Sequence, residues 1–209
     1  MCQAEIVDNA MNAQPKFSTP PMTVDEFFAW DGGGHVGKLE LVEGRVRAMA
    51  PASDSHSTIQ ANLAYAIKHQ LRRTKSPCRV GTEAPVIPPM SQKKNARAPD
   101  LAVTCAPPST SKVYDDPVLI VEILSPSNED ATWETIHALA NLTSLKEILV
   151  VQSTRVEAQV FTRKADGAWP DYPVVSVAGG KIELTCLGLE LAMAEVYEGT
   201  MLGDVGDAS

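Results

Sequence analysis

The segment Val118-Leu119-Ile120-Val121-Glu122-Ile123-Leu124 is apolar at every position but one. Such a run, without polar alternation, reads as a strand covered on both faces, and so as the centre of a sheet with helices on each side. Leu101-Ala102-Val103-Thr104-Cys105 has the same character. Over residues 55–73 the positions Ile59, Leu63, Ala66, Ile67 and Leu71 recur at helical spacing and give the longest helix. Thr23 and Glu26 form a capping box that opens a short helix carrying Val24, Phe27 and Phe28. Residues 39–42 and 45–49 read as strands joined through Glu43-Gly44, and 78–87 as another. A helix over 128–142, strands over 147–151 and 156–162, short strands within 169–186 and a closing helix over 189–197 complete the order. This predicts an α/β (α+β mixed) single domain with a central mixed β-sheet flanked by helices, spanning 22–202. Residues 1–21, with Pro15, Pro20 and Pro21, and residues 203–209, small and acidic, read as flexible tails.

Composition narrows the function classes. The chain has 209 residues, 44% hydrophobic and 21% charged, the balance of one soluble domain with a sizeable core. Eighteen Lys+Arg against 26 Asp+Glu leave a net charge of −8, which excludes nucleic-acid binding by bulk positive charge but not a local basic groove. No stretch approaches the ~18–20 apolar residues of a membrane span. Glu5 and Asp8 come early and no apolar core follows, unlike a signal peptide, so a cytoplasmic protein without membrane partners is expected. Cys2, Cys78, Cys105 and Cys186 are scattered and read as reduced thiols.

One motif is a decoy. Gly32-Gly33-Gly34-His35-Val36-Gly37-Lys38 has the spacing of a phosphate-binding loop, but Leu39 stands where Ser or Thr must reach Mg²⁺. It also runs from helix to strand, the reverse of the order such a loop needs. Trp133 and Trp169 read as packing residues rather than base-stacking platforms.

Asp100 and Glu122 carry the chemistry. If the two apolar strands are antiparallel neighbours, pairing Asp100 with Glu122 also pairs Thr104 with Val118 and brings two carboxylates to one edge of the sheet. A glutamate inside an apolar strand loses several kcal/mol of solvation unless it is paired or metal-bound. Two like charges there are held ionised most simply by a divalent cation. An ion pair to Glu122 together with a turn-capping Asp100 accounts for the same residues, and the bare pair does not choose between the two.

Arg97-Ala98-Pro99-Asp100-Leu101-Ala102-Val103 and Val121-Glu122-Ile123-Leu124-Ser125-Pro126-Ser127 resemble a bacterial restriction-endonuclease family within the PD-(D/E)xK nuclease superfamily. Leu39-Glu40-Leu41-Val42-Glu43-Gly44 and the stretch from Pro51 to His56 resemble it as well. The resemblance implies a restriction-endonuclease-like core and a metal-dependent DNA endonuclease. Asp100, Glu122 and the Ile123 carbonyl would bind Mg²⁺ or Mn²⁺, with Glu40 and His56 approaching the same site. An exposed helix-start histidine and a strand glutamate paired to Arg45 or Lys38 are the plain alternatives for those last two.

The sequence departs from the family pattern at Leu124, where the lysine of E-x-K belongs on the face of Glu122. That departure supports a different class, an inactive nuclease fold kept as a nucleic-acid-binding or dimerisation module. Lys93, Lys94 and Arg97, close before Asp100, are candidate phosphate contacts. Lys68, Arg72, Arg73 and Lys75 read as solvated surface at a helix end. A homodimer would suit cleavage of both duplex strands.

Overall fold

The computed structural model describes residues 19–203. Most of the two expected tails lies outside the described residues. Where the described chain begins, it is tied down: the Met22 backbone N–H donates to Gly44 O at 2.8 Å, and Met22 packs against a small apolar cluster with Leu41, Val46 and Ala96.

Helix α1 (Val24–Ala29) is closed by the expected capping box between Thr23 and Glu26. A 3-10 turn, Gly32–Gly34, follows, and then the hairpin β1 (Leu39–Val42) and β2 (Arg45–Ala48). Its turn needs positive φ at Glu43 and Gly44, and Gly44 sits against the Met22 backbone with little room for a Cβ. The long helix α2 (Asp54–Arg73) is capped by Ser53.

The main sheet contains β3 (Arg79–Thr82), β4 (Leu101–Thr104), β5 (Pro117–Leu124), β6 (Glu147–Gln152), β7 (Glu157–Thr162) and β8 (Val174–Val177), side by side in that order. Only β5 and β6 are parallel, connected through α3 (Glu129–Leu139). A second hairpin, β9 (Lys181–Leu184) and β10 (Leu189–Ala192), leads into the short α4 (Met193–Val196). The closing helix expected over 189–197 is therefore a strand followed by one helical turn, since Leu189 to Ala192 pair with β9 before the chain can coil. The strand expected over 78–87 also ends early, at Thr82.

Strand alternation divides the core into two layers. Leu101, Val103, Leu119, Val121, Ile123, Leu149 and Val151 face α2 and meet Ile59, Leu63, Ile67 and Leu71. Ala102, Ile120, Leu124, Ile148 and Val150 face α3 and meet Ile136 and Leu139. Covering both faces is what makes β5 nearly continuously apolar. Glu122 interrupts that run on the α3 face, one residue from each of two α2-facing neighbours.

Two buried polar groups pin the C-terminal half. Glu147 accepts from the Thr162 hydroxyl and from the backbone N–H groups of Thr185 and Cys186. The Tyr197 hydroxyl reaches the carbonyls of Gln152, Arg155 and Glu157 at 2.7–3.0 Å. Among the described residues no helix is long and apolar enough to cross a membrane.

The cysteine expectation is corrected. Arg79 pairs with Thr104, so Cys78 lies directly across from Cys105, and the two form a disulfide with Cα atoms 3.9 Å apart. Sequence separation hid a juxtaposition that only the strand register creates. Cys186 is a free thiol whose pKa is pushed up by burial and by Glu147. Cys2 lies outside the described residues.

Candidate active site

Leu101 pairs with Val121, Ala102 with Ile120 and Val103 with Leu119, the register that sets Asp100 opposite Glu122. The expected partnership of Thr104 with Val118 is shifted by one residue: a β-bulge pairs Thr104 with Pro117. The bulge falls at the far end of the strand pair and leaves the carboxylates in place. Both are 3% exposed.

Asp100 is held on every side. Its Oδ2 accepts from the Ile123 N–H at 2.8 Å and lies 3.3 Å from His56 Nε2. Its Oδ1 accepts from Lys38 Nζ at 3.0 Å. Its backbone carbonyl accepts from Gln60 Nε2 at 2.9 Å and from the Glu83 N–H at 3.1 Å. Burial pushes the Asp100 pKa up, but the His56 hydrogen bond, the Lys38 charge and the Ile123 N–H outweigh it and hold the group at about 2.

Glu122 is the opposite case. Among the described residues no cation lies within 4 Å of its carboxylate. Burial, then the charge of Asp100, pushes its pKa well above the ordinary glutamate range, and the more distant Lys38 offsets only part of this. Neighbouring carboxyls with pKa values driven apart are a pattern that recurs at functional sites and in buried ion-pair networks alike.

Lys38 is the residue that sequence reasoning missed. Burial would lower its pKa, yet Asp100, Glu122 and Glu40 hold it above the ordinary lysine value, so it stays an ammonium. It comes from the residue before β1, at the end of the glycine-rich decoy. The available signal was its spacing from Glu40: two residues apart along an extended chain, both side chains share a face. Leu124, at the motif lysine's position, is 1% exposed within the apolar layer under α3. Gln60 was missed too. It stands four residues after His56, so successive turns of α2 present both to Asp100.

By strand alternation the Ile123 carbonyl points to the β4 side. Leu124 O accepts from Ser153 N on the β6 side, and the carbonyl one residue earlier in an extended strand points the other way.

Glu40 is 1% exposed and near enough to act on both Glu122 and Lys38, but its oxygens are engaged. Oε1 accepts from the Ala98 N–H at 2.9 Å, and Oε2 lies 3.5 Å from Arg97 NH1. Neither Arg45 nor Lys38 is its partner. Arg97 was expected to face phosphate and is instead 4% exposed, bridging Glu40 to Glu134. Arg47 adds a 2.7 Å contact to Glu134. The physical reason is topological: isolated bridges of Leu41 with Ala96 and Val86 with Arg97 draw this segment inward. Lys93 and Lys94 are exposed, and their carbonyls bond Val24 N and Gly44 N at the hairpin's turn, whereas Lys38 and Asp100 meet at its open end.

A family model, Uma2, described as "Putative restriction endonuclease", matches residues 24–194, which is most of the chain. The chain belongs to the Uma2 family. Among its relatives is "Uncharacterized protein slr1290" of Synechocystis sp. (strain ATCC 27184 / PCC 6803 / Kazusa), 28% identical over 188 residues, which are 88% of this chain and 96% of that one. A solved structure described as a putative nuclease belonging to DUF820, from Anabaena variabilis ATCC 29413, superposes with a TM-score of 0.66 at 17% identity. The match covers 85% of this chain and 98% of that one, so the two share a fold. In this Uma2 chain the fold is the expected restriction-endonuclease-like one, a six-stranded mixed sheet flanked by helices.

Proposed function

We propose that this Uma2 protein is a metal-dependent endonuclease that hydrolyses phosphodiester bonds in DNA, with Asp100, Glu122 and Lys38 as its central residues. The observation that carries the reading is the 3.0 Å contact of Lys38 Nζ with Asp100 Oδ1, beside a Glu122 that has no cation of its own within 4 Å among the described residues. An aspartate, a glutamate and a lysine, the residue types of the nuclease motif, thus stand near one another, and on this reading Lys38 takes the part of the lysine whose place in the sequence is held by Leu124. A lysine supplied from outside the motif strand supports the active reading over an inactive module.

The residues fit Mg²⁺ or Mn²⁺. Asp100, Glu122 and the Ile123 carbonyl are hard oxygen donors, and Mg²⁺ is commonly held by one or two carboxylates with waters and phosphate filling the rest. Among the described residues no three His, Cys, Asp or Glu side chains converge as a cage, so the protein would supply two carboxylates and one carbonyl. When bound, the ion would lower the pKa of a coordinated water and neutralise charge developing on the phosphate. The chain's own part is positioning. His56 and the Ile123 N–H fix Asp100 Oδ2, while Gln60 and the Glu83 N–H fix its backbone. The Lys38 ammonium is available to a non-bridging phosphate oxygen, where a preorganised charge in a dry site is most effective. Lys93 and Lys94 are exposed to phosphates further along a bound strand.

The test is Mn²⁺-dependent hydrolysis of bis(p-nitrophenyl) phosphate and of supercoiled plasmid. The wild type is expected to cleave both, EDTA to abolish cleavage, and Glu122→Gln to lose it. Equal rates for wild type and Glu122→Gln would refute the reading.

A further inference from the structure

The end of α2, the turn after it and the edge strand β3 enclose a cavity of about 400 Å³. Lys68, Arg72, Lys75 and Arg79 line it, with Ser76 and Tyr114, and among the described residues no aspartate or glutamate does. None of the four cations lies within 4 Å of a carboxylate among the described residues. In a chain of net charge −8, four of 18 basic residues therefore share one concavity without counter-charge.

Complementing the α2 dipole does not explain this arrangement. Lys68 and Arg72 lie on one helix face at i, i+4 spacing, where like charges repel. Lys75 is swung round by a positive φ of 52°, and Arg79 comes from a different element. Arg79 is moreover held in a fixed pose. Its guanidinium stacks over the Tyr114 ring with 4.9 Å to the centroid and donates to Ala106 O. Tyr114 reaches that position because residue 81 is glycine: a Cβ there would lie 2.6 Å from the ring's Cζ and hydroxyl. A planar guanidinium fixed beside two flexible ammonium groups and a second arginine suits phosphate oxygens.

The strand register fixes how far this cavity lies from the carboxylates. Arg79 pairs with Thr104, while Thr82 pairs with Leu101, next to Asp100. Four strand residues separate the Thr104 level from Asp100, about 13 Å at ~3.3 Å per residue. That is a span of a few nucleotides of a nucleic-acid strand, whose axial rise alone is ~3.4 Å per nucleotide.

We propose that the cavity is a second phosphate site, holding the sugar–phosphate backbone of nucleic acid a few nucleotides from the phosphodiester at the Asp100–Glu122–Lys38 cluster. The assignment rests on the hydrolytic reading above and adds where the substrate is gripped. Such a contact positions the strand without reading its sequence.

The experiment compares wild type with Lys68→Glu/Arg72→Glu/Lys75→Glu, three exposed positions, by fluorescence anisotropy of a labelled 24-base-pair duplex in EDTA across 50–300 mM KCl. The variant is expected to bind at least tenfold more weakly at 100 mM salt. The slope of log affinity against log salt should fall by about two to three, near 0.9 per lost phosphate contact. Hydrolysis of bis(p-nitrophenyl) phosphate, too small to span both sites, should be unchanged. Equal affinity and slope for the two proteins overturn the proposal. So does ATP or pyrophosphate occupying the cavity while duplex binding is indifferent to the substitutions, because the ligand would then be a free phosphate compound. A wild type inert toward the small diester overturns the hydrolytic reading instead, a failure visible in a different measurement.

Discussion

Lys38 Nζ donates to Asp100 Oδ1 across 62 residues of sequence, and this bond holds a largely shielded ammonium beside the carboxyls that β4 and β5 bring together. Lys38→Met should retain the fold and reduce hydrolysis of a small phosphodiester about 100-fold or more, the scale of removing one preorganised donor from a charged transition state. A loss under threefold would remove Lys38 from the reacting centre. Leu124→Lys, which restores the motif by sequence alone, should instead unfold at markedly lower urea concentration. It drives an ammonium into the apolar layer that Leu124 shares with Ile136 and Leu139.

The pH dependence of the metal-free protein should have two limbs of opposite sign. The Asp100 pKa is lowered to about 2, so its contribution is present above the ordinary aspartate value and is lost as pH falls from about 4 toward 2. The Glu122 pKa is raised, so the folded state keeps a proton that the unfolded chain has released. Stability falls as pH rises from about 4.5 through the elevated value. Melting temperatures from pH 5 to 8 should therefore decline for the wild type relative to Glu122→Gln, whose amide does not titrate. Parallel curves would contradict the raised pKa.

Arg97 now has a structural prediction. It is buried between Glu40 and Glu134, so Arg97→Ala leaves a buried carboxylate without its partner and should cost about 3–5 kcal/mol in urea unfolding. Lys93→Ala/Lys94→Ala, at exposed positions, should leave stability unchanged. Equal unfolding midpoints for these two variants would mean that the Glu40–Arg97 pair does not anchor the segment leading to Asp100.

How far the sequence was legible follows from which interactions are local. The capping box at Thr23, the α2 stripe and the continuous apolarity of β5 are short-range patterns, and each appears where the spacing puts it. The facing of Asp100 and Glu122 was legible as well, because two strands and one connecting loop determine it. Lys38, the burial of Arg97 and the Cys78–Cys105 pairing were not. Each depends on contacts between segments far apart in the chain: the β1–β2 hairpin against residues 96–100, or β3 beside β4. The glycine-rich segment, set aside as a phosphate-binding loop, hid Lys38 for the same reason. Its lysine is functional in the proposed site, but through the strand that it precedes rather than through a phosphate-binding loop.

The disulfide is open to direct measurement. Under non-reducing conditions a peptide linking Cys78 to Cys105 should appear in mass spectra. Cys78→Ser/Cys105→Ser should lose about 2–4 kcal/mol, the usual scale of releasing such a cross-link. Two free thiols and a melting temperature indifferent to reductant would show that the cysteines are only neighbours.

The pairing of Asp100 with Glu122 around a divalent cation is tested most directly by a thermal-shift titration of wild type and Glu122→Gln with Mn²⁺. A ligand bound only by the folded state stabilises it by RT ln(1 + [L]/Kd), about 2.7 kcal/mol at a hundredfold excess over Kd. The wild type should show a saturable rise of that order. Glu122→Gln should show little or none, while being at least as stable as the wild type without metal, because a neutral amide escapes the burial cost and the Asp100 charge that raise the Glu122 pKa. A wild type with no Mn²⁺-dependent shift, together with a strongly destabilised Glu122→Gln, would contradict the metal site and the hydrolytic mechanism built on it.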